Sequence, residues 1–197
     1  MEIRTLCDIF YKAVAYGKRD HLKYKRDGAW RDISSTEFQR AVEELSMGLR
    51  DLGVQKGDRV AILSENRPEW AFTDLASLVA GAVDAPIYAT LTPPQILYIL
   101  NDSEAKVLVV STPHQARKVQ EIRAQAKYLQ HVIRIEEMPS ELVAGTVSFD
   151  EVRARGREAL AKDPEAARQR AAEVQPGELA TLIYTSGTTG DPKGVLY

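Results

Sequence analysis

The stretch Leu-Ala-Thr-Leu-Ile-Tyr-Thr-Ser-Gly-Thr-Thr-Gly-Asp-Pro-Lys-Gly-Val occupies residues 179–195. Its first part, residues 179–184, is an apolar run of the length and composition of a buried strand. Gly187 and Gly190 then remove the Cβ atoms that would keep a ligand away from the backbone amides. Hydroxyl donors and one cation surround these glycines, namely Thr185, Ser186, Thr188, Thr189 and Lys193. The stretch therefore predicts a strand that leads into a phosphate-binding loop.

Two common nucleotide-binding loops do not fit this stretch. The Walker-type loop ends in Gly-Lys followed by Ser or Thr, whereas here Pro192 precedes Lys193 and Gly194 follows it. The dinucleotide fingerprint needs a G-x-G-x-x-G spacing, which glycines 187, 190 and 194 do not provide. A flexible Ser/Thr/Gly loop without function is the remaining structural alternative.

Residues 184–194 resemble, position by position, the signature loop of the adenylate-forming enzymes, the superfamily of acyl-CoA synthetases, luciferases and peptide-synthetase adenylation domains. The resemblance extends to residues 66–70, which read Asn-Arg-Pro-Glu-Trp, and to residues 81–86, which read Gly-Ala-Val-Asp-Ala-Pro. Residues 86–91 and 98–109 are most similar to the long-chain fatty acid–CoA ligase branch. The resemblance implies that residues 1–197 form a partial N-terminal AMP-binding domain ending just after the loop. The remainder of that domain and the whole C-terminal domain would then be absent.

The resemblance also implies a two-step reaction. A fatty acid carboxylate attacks the α-phosphorus of ATP to give an acyl-adenylate, and coenzyme A then takes the acyl group as a thioester. Thr185, Ser186, Gly187, Thr188, Thr189, Gly190 and Lys193 would hold the ATP phosphates, with Thr188 and Lys193 stabilising the charge of the transition state. No residue stands out as a nucleophile or general base, because the substrate carboxylate is itself the nucleophile.

The same resemblance sets the expectations for cofactors. ATP, Mg²⁺ and coenzyme A would serve the complete enzyme, with the magnesium ligands outside this chain and no metal site within it. We expect the isolated chain to be inactive as a ligase. Two alternatives stay open: an adenylate-forming enzyme for another carboxylic acid, and a non-catalytic module that binds a nucleotide or a partner.

Composition narrows the choice of partners and compartment. The 197 residues carry a net charge of −2, with 44% hydrophobic and 27% charged residues, which gives no electrostatic reason to expect nucleic acid binding. The single Cys7 cannot form an internal disulfide, and the three histidines lack metal-ligand spacing. No apolar run approaches the ~20 residues of a membrane span. We expect a cytoplasmic chain that acts on small molecules, with peripheral membrane association left open.

Alternating patterns along the chain predict an α/β fold, with layers of parallel sheet flanked by helices after an early β-hairpin. The hairpin is predicted at residues 21–33 around Asp27-Gly28, with Trp30 as a packing residue. Strands are predicted at 59–64, 83–89, 105–111 and 131–135, and helices at 3–16, 34–52, 66–80, 92–101 and 113–128. Ser34 and Glu37 form a capping box, and Asn66 is a candidate N-cap.

The end of the chain is predicted from composition and pairing. Residues 148–174 are rich in Ala, Glu and Arg, which favours a pair of solvated surface helices, the second capped by Asp163 with Pro164 at its first position. The strand ending at Tyr184 is expected to need neighbours from outside the chain. An unpaired edge of this kind would favour self-association.

Overall fold

A computed structural model describes residues 2–185 and 192–197 of the chain. The helices are α1 (Leu6–Val14), α2 (Ser35–Asp51), α3 (Pro68–Val79), α4 (Pro93–Asp102), α5 (Pro113–Ile122), α6 (Ser140–Val143), α7 (Phe149–Lys162) and α8 (Ala166–Ala172). The strands are β1 (Leu22–Arg26), β2 (Ala29–Ile33), β3 (Arg59–Leu63), β4 (Val83–Ile87), β5 (Ala105–Val110), β6 (His131–Arg134), β7 (Thr146–Ser148), β8 (Leu182–Thr185) and β9 (Lys193–Leu196).

A five-stranded parallel sheet forms the centre of the fold, in the order β4-β3-β5-β6-β7. Its strands are apolar on both faces because helices cover both sides. Val60, Val107 and Ile133 face a core built with α1, α2, α3, α7 and α8. Ala61 and Leu108 face a second core built with α4, α5 and α6. The predicted α/β class with a parallel sheet between helical layers is confirmed.

The early hairpin is also confirmed, because β1 and β2 pair in antiparallel fashion with Arg26 opposite Ala29. Asp27 and Gly28 adopt φ values of 52° and 78°, the left-handed pair that a two-residue turn between twisted strands requires. The prediction for Trp30 is wrong. Its side chain is 69% exposed rather than packed, since this two-stranded ribbon lies outside the main sheet.

Several predicted helix boundaries are corrected by local geometry. The N-cap of α3 is Arg67 rather than Asn66, and Pro68 occupies the first position of the helix. The N-cap of α8 is Glu165 rather than Asp163, because Asp163 terminates α7 and its side chain accepts a hydrogen bond from the Glu165 amide. Helix α5 ends at Ile122 and passes into a short 3-10 turn. Helix α6 and strand β7 were not predicted.

The prediction of a solvated helix pair at residues 148–174 is wrong for α7, which crosses α2 at close range. A Cβ atom built on Gly156 would lie 1.7 Å from the Glu44 carbonyl oxygen, and one on Gly48 would lie 2.0 Å from the Val152 carbonyl oxygen. The buried carboxylate of Glu44 accepts hydrogen bonds from Arg153 at 2.7 Å and from another arginine of α7. The crossing therefore joins two backbones that only glycine allows to approach so closely.

Candidate phosphate-binding site

The two ends of the predicted phosphate-binding loop meet in a short antiparallel ribbon. Strand β8 pairs with β9 so that Thr185 lies opposite Lys193 and Tyr184 opposite Gly194. Both Thr185 and Lys193 are exposed. The other five predicted phosphate ligands, Ser186, Gly187, Thr188, Thr189 and Gly190, lie outside the described residues. The structure thus brings together the two predicted site residues that it describes.

The ribbon is aligned with the main sheet through β4. Thr181 forms a parallel bridge with Asp84, and the Asp84 amide donates to the Ala180 carbonyl oxygen at 3.1 Å. Because β8 continues in the direction of β4, its carboxyl end lies at the same edge as the carboxyl ends of β3 and β5. Ligands of open parallel sheets bind at that edge. Strand β8 itself pairs only with β9 among the described strands, and the ribbon meets β4 through the single Thr181–Asp84 bridge just before β8.

Tyr184 fixes the ribbon to the body of the fold. Its side chain is 4% exposed, and its hydroxyl donates a hydrogen bond to Oδ2 of Asp102 at 2.7 Å. Burial is the main cause that raises the pKa of the Tyr184 phenol, and the hydrogen bond with Asp102 is the second. The phenol therefore stays protonated and remains a donor. A Cβ atom on Gly194 would lie 3.1 Å from Cζ of Tyr184, so glycine leaves room for the ring of its cross-strand neighbour.

Tyr184→Phe is expected to lower the free energy of unfolding by about 1.5 kcal/mol, because a hydrogen bond to a charged group is lost while the ring still fills its site. Urea denaturation of parent and variant measures the difference. Tyr88→Phe is the matched control, since the Tyr88 side chain is 65% exposed. Equal stability of Tyr184→Phe and the parent would show that the contact with Asp102 does not hold the ribbon.

A polar network at the carboxyl edge was not predicted from the sequence. Glu65 follows β3 and accepts hydrogen bonds from Ser111 Oγ at 2.5 Å and from Gln115 Nε2 at 2.8 Å. Burial alone would raise the pKa of Glu65, but these two hydrogen bonds outweigh it and lower the pKa, so the carboxylate stays ionised. The network lies where the strand order reverses between β3 and β5, the place at which α/β sheets open a ligand crevice. Only the folded topology reveals it, because Glu65 and Gln115 are distant in sequence.

A pair of neighbouring acids beside the segment that leads into β8 was also missed. Asp84, the second residue of β4, is 2% exposed and lies against Asp74 of α3. Burial, followed by repulsion from Asp74, raises the pKa of Asp84 to about 8. The sequence does contain a signal for this acid pair, because Asp84 is a charged residue between Val83 and Ala85 in a strand predicted to be buried.

Two kinds of feature are absent from the part of the chain that the structure describes. None of its helices is long and apolar enough to cross a membrane. No three His, Cys, Asp or Glu side chains within residues 2–185 and 192–197 are grouped so that they could hold a metal ion.

Comparison with known proteins agrees with the resemblance seen in the loop. Residues 10–197 match the family described as AMP-binding enzyme. The long-chain-fatty-acid–CoA ligase FadD15 of Mycobacterium bovis is 40% identical over 177 residues, which cover 89% of this chain and 28% of that protein. The long-chain-fatty-acid–CoA ligase ACSBG1 of Rattus norvegicus is 34% identical over 194 residues, 98% of this chain and 26% of that protein.

Solved structures share the same fold. The anthranilate CoA ligase AuaEII, in complex with anthranoyl-AMP, superposes with a TM-score of 0.82 at 25% identity, over 100% of this chain and 35% of that one. A fatty acyl CoA synthetase of Mycobacterium tuberculosis superposes with a TM-score of 0.70 at 27% identity, over 98% and 34%. The chain thus spans about a quarter of the length of these curated relatives and a third of these solved structures. By the extent of its family match, the chain belongs to the AMP-binding enzymes.

Proposed function

We propose that the chain is the N-terminal part of a long-chain fatty acid–CoA ligase. In this proposal residues 1–197 form part of the AMP-binding domain and contain the residues that bind the ATP phosphates. The observation that carries it is the ribbon, which sets Thr185 beside Lys193 at the carboxyl edge of the parallel sheet. The printed names of the FadD15 and ACSBG1 relatives support a fatty acid as the substrate.

In the proposed reaction the substrates supply the nucleophiles, and the protein binds the leaving group. The fatty acid carboxylate displaces pyrophosphate from ATP, and the coenzyme A sulfur then displaces AMP from the acyl-adenylate. Thr185, Ser186, Gly187, Thr188, Thr189, Gly190 and Lys193 bind the β- and γ-phosphates, which leave as pyrophosphate. Negative charge grows on that leaving group as the bond breaks, so hydroxyl donors and the Lys193 ammonium stabilise the transition state more than the bound ATP. The catalytic contribution of this part of the chain is electrostatic.

Magnesium enters this proposal only as the usual companion of ATP phosphates. The described residues contain no grouping that fits it. We therefore assign the protein contribution in this region to Lys193 and the hydroxyl donors, with no step through a metal.

Lys193→Ala is expected to lower fatty-acid-dependent pyrophosphate release by roughly 10- to 100-fold, the equivalent of one hydrogen bond to a charged group. The assay uses the protein expressed from its full gene, with ATP, palmitate and coenzyme A as substrates. It measures pyrophosphate release and thioester formation in the same reaction. Lys162→Ala is the matched control, because Lys162 is an exposed lysine at the end of α7, away from the ribbon. Unchanged turnover in Lys193→Ala would refute the assignment of Lys193.

Another acid substrate is the second candidate, favoured by the high TM-score to the anthranilate CoA ligase. The two candidate substrate classes are distinguished by comparing kcat/KM values in the same assay for four acids: palmitate, octanoate, anthranilate and benzoate. A preference for palmitate supports the fatty acid ligase, and a preference for anthranilate or benzoate supports an aryl ligase. ATP binding without turnover on any acid would support the non-catalytic module.

A further inference from the structure

Basic residues are concentrated in the segment that contains β1 and β2, residues 18–32, which we call the basic hairpin. This segment carries six basic and three acidic side chains, although the whole chain has a net charge of −2. Among the described residues, only Lys23 of these six cations is ion-paired, with Asp20 and with Asp32. The other five cations are exposed and can meet an anionic partner: Lys18, Arg19, Lys25, Arg26 and Arg31.

The basic hairpin also exposes a large aromatic side chain. Trp30 is 69% exposed and lies opposite Lys25 in the ribbon. All of residues 25–32 are exposed, because β1 and β2 pair only with each other among the described strands. Tryptophan combines an apolar ring with an N–H donor, which is why it is enriched at the boundary between bilayer and water.

Helix α1 presents an apolar outer face beside this segment. Cys7 and Phe10 point into the core, whereas Leu6 and Ile9, three residues apart, lie on the outer side of the helix. Large apolar residues just before and just after the helix are exposed as well. The exposed fractions are 48% for Ile3, 46% for Leu6, 48% for Ile9 and 70% for Tyr16. A short helix with this division of faces can lie in the surface of a bilayer.

The outer face of α1 and the basic hairpin belong to one continuous surface. His21, directly before β1, lines the same cavity of about 460 Å³ as Leu6. That cavity extends to Trp70 of α3, and the neighbouring cavity of about 470 Å³ beside Trp30 extends to Ala71. The start of α3 therefore connects the apolar face with the cationic ribbon.

We propose that this surface docks on an anionic phospholipid bilayer. The exposed lysines and arginines contact the headgroups, while Leu6, Ile9 and Trp30 enter the boundary of the acyl chains. A nucleic acid would supply phosphates but no apolar phase for the outer face of α1, so the bilayer is the partner that satisfies both halves of the surface. The inference goes beyond the proposed function and does not depend on it, because vesicle binding is measured without ATP, fatty acid or coenzyme A.

The test is co-sedimentation of the protein expressed from its full gene with two kinds of vesicle, phosphatidylcholine alone and phosphatidylcholine mixed with phosphatidylglycerol. We expect saturable binding to the mixed vesicles that weakens as salt is added, and little binding to phosphatidylcholine alone. The difference between the emission spectra of the parent and of Trp30→Phe reports on Trp30, and it is expected to shift to shorter wavelength with mixed vesicles. Equal binding to both kinds of vesicle, no binding to mixed vesicles, or no shift of this difference spectrum would overturn the proposal.

Two variants locate the binding surface. Lys25→Glu is expected to weaken binding to mixed vesicles roughly tenfold or more, because it reverses a charge at the headgroups. Trp30→Ala is expected to weaken it roughly fivefold, through the loss of apolar area buried in the bilayer. Both positions are exposed, so the variants are expected to keep the far-ultraviolet circular dichroism of the parent.

Lys127→Glu is the matched control, because Lys127 is exposed and follows α5 on the side of the sheet opposite α1. It makes the same change of charge and is expected to leave vesicle binding unchanged. Equal losses in Lys127→Glu and Lys25→Glu would mean that overall charge governs binding, which overturns the assignment to the basic hairpin. Tighter binding to a duplex oligonucleotide than to mixed vesicles would identify a nucleic acid as the partner and would also overturn the proposal.

Discussion

Gly156→Ala is expected to lower the free energy of unfolding by about 3 kcal/mol or more, enough to threaten a domain whose total stability is roughly 5–15 kcal/mol. The added methyl group would lie 1.7 Å from the carbonyl oxygen of Glu44 and 2.7 Å from the amide nitrogen of Gly48. Both are backbone atoms, so no rotamer change relieves the overlap. Helix α7 would have to move away from α2, and the hydrogen bonds of Arg153 and Arg157 to Glu44 would lengthen.

Urea denaturation followed by far-ultraviolet circular dichroism measures this effect. Glu158→Ala, at an exposed position of the same helix, is the matched control and is expected to change stability by less than about 0.5 kcal/mol. An unchanged midpoint for Gly156→Ala would mean that the two helices do not cross as closely as the structure shows.

Asp84→Asn is expected to stabilise the protein at pH 8.5 by several kcal/mol and to lose most of that advantage near pH 4. The folded-state pKa of Asp84 is raised from an ordinary value of 3.8 to about 8, so the folded protein binds a proton that the unfolded chain has released. Stability of the parent therefore falls as pH rises between these values, by at most about 1.4 kcal/mol per pH unit, and the loss is complete above pH 8. Asparagine carries no such proton and can still donate a hydrogen bond to Asp74.

The measurement compares the free energies of unfolding of parent and variant at pH 4, 6 and 8.5, so that the titrations of groups away from Asp84 and its coupled neighbour Asp74 cancel in the difference. Asp27→Asn serves as the control, because Asp27 is exposed in a turn where its left-handed φ of 52° suits asparagine equally well. A difference between parent and Asp84→Asn that stays constant from pH 4 to 8.5 would mean that Asp84 is ionised in the folded protein.

Local signals in the sequence were sufficient to predict much of the fold. The Asp27-Gly28 turn, the Ser34 capping box and the apolar strands β3 and β5 each carry their information within a few neighbouring residues. The close crossing of α2 and α7 had no such signal, since Gly48 and Gly156 matter only once the two helices meet. The sequence of α7 consequently indicated a solvated surface helix.

The candidate site was predictable to the extent that its ligands are contiguous in sequence. Phosphate binding by residues 184–194 stays a prediction from contiguous sequence, and the structure shows that Thr185 lies opposite Lys193. The partners that support the ribbon come from elsewhere: Asp102 holds Tyr184, and Asp84 joins Thr181. Contacts between residues so far apart follow from the topology of the sheet, which no short pattern of residues contains.

The position of Asp84 and Pro86 in β4 also has a consequence while the protein is being synthesised. The ribosome delivers β3, β4 and β5 well before Thr181, so the outer side of β4 stays uncovered until residues 180 and 181 emerge. In that interval Asp84 is in water and ionised, and Pro86 has no N–H to offer on the side where the Asp84 amide later donates to Ala180. A charge and a proline on a waiting strand both discourage pairing with other nascent chains. We therefore expect the acid that costs stability in the folded protein to reduce aggregation of the chain before it folds.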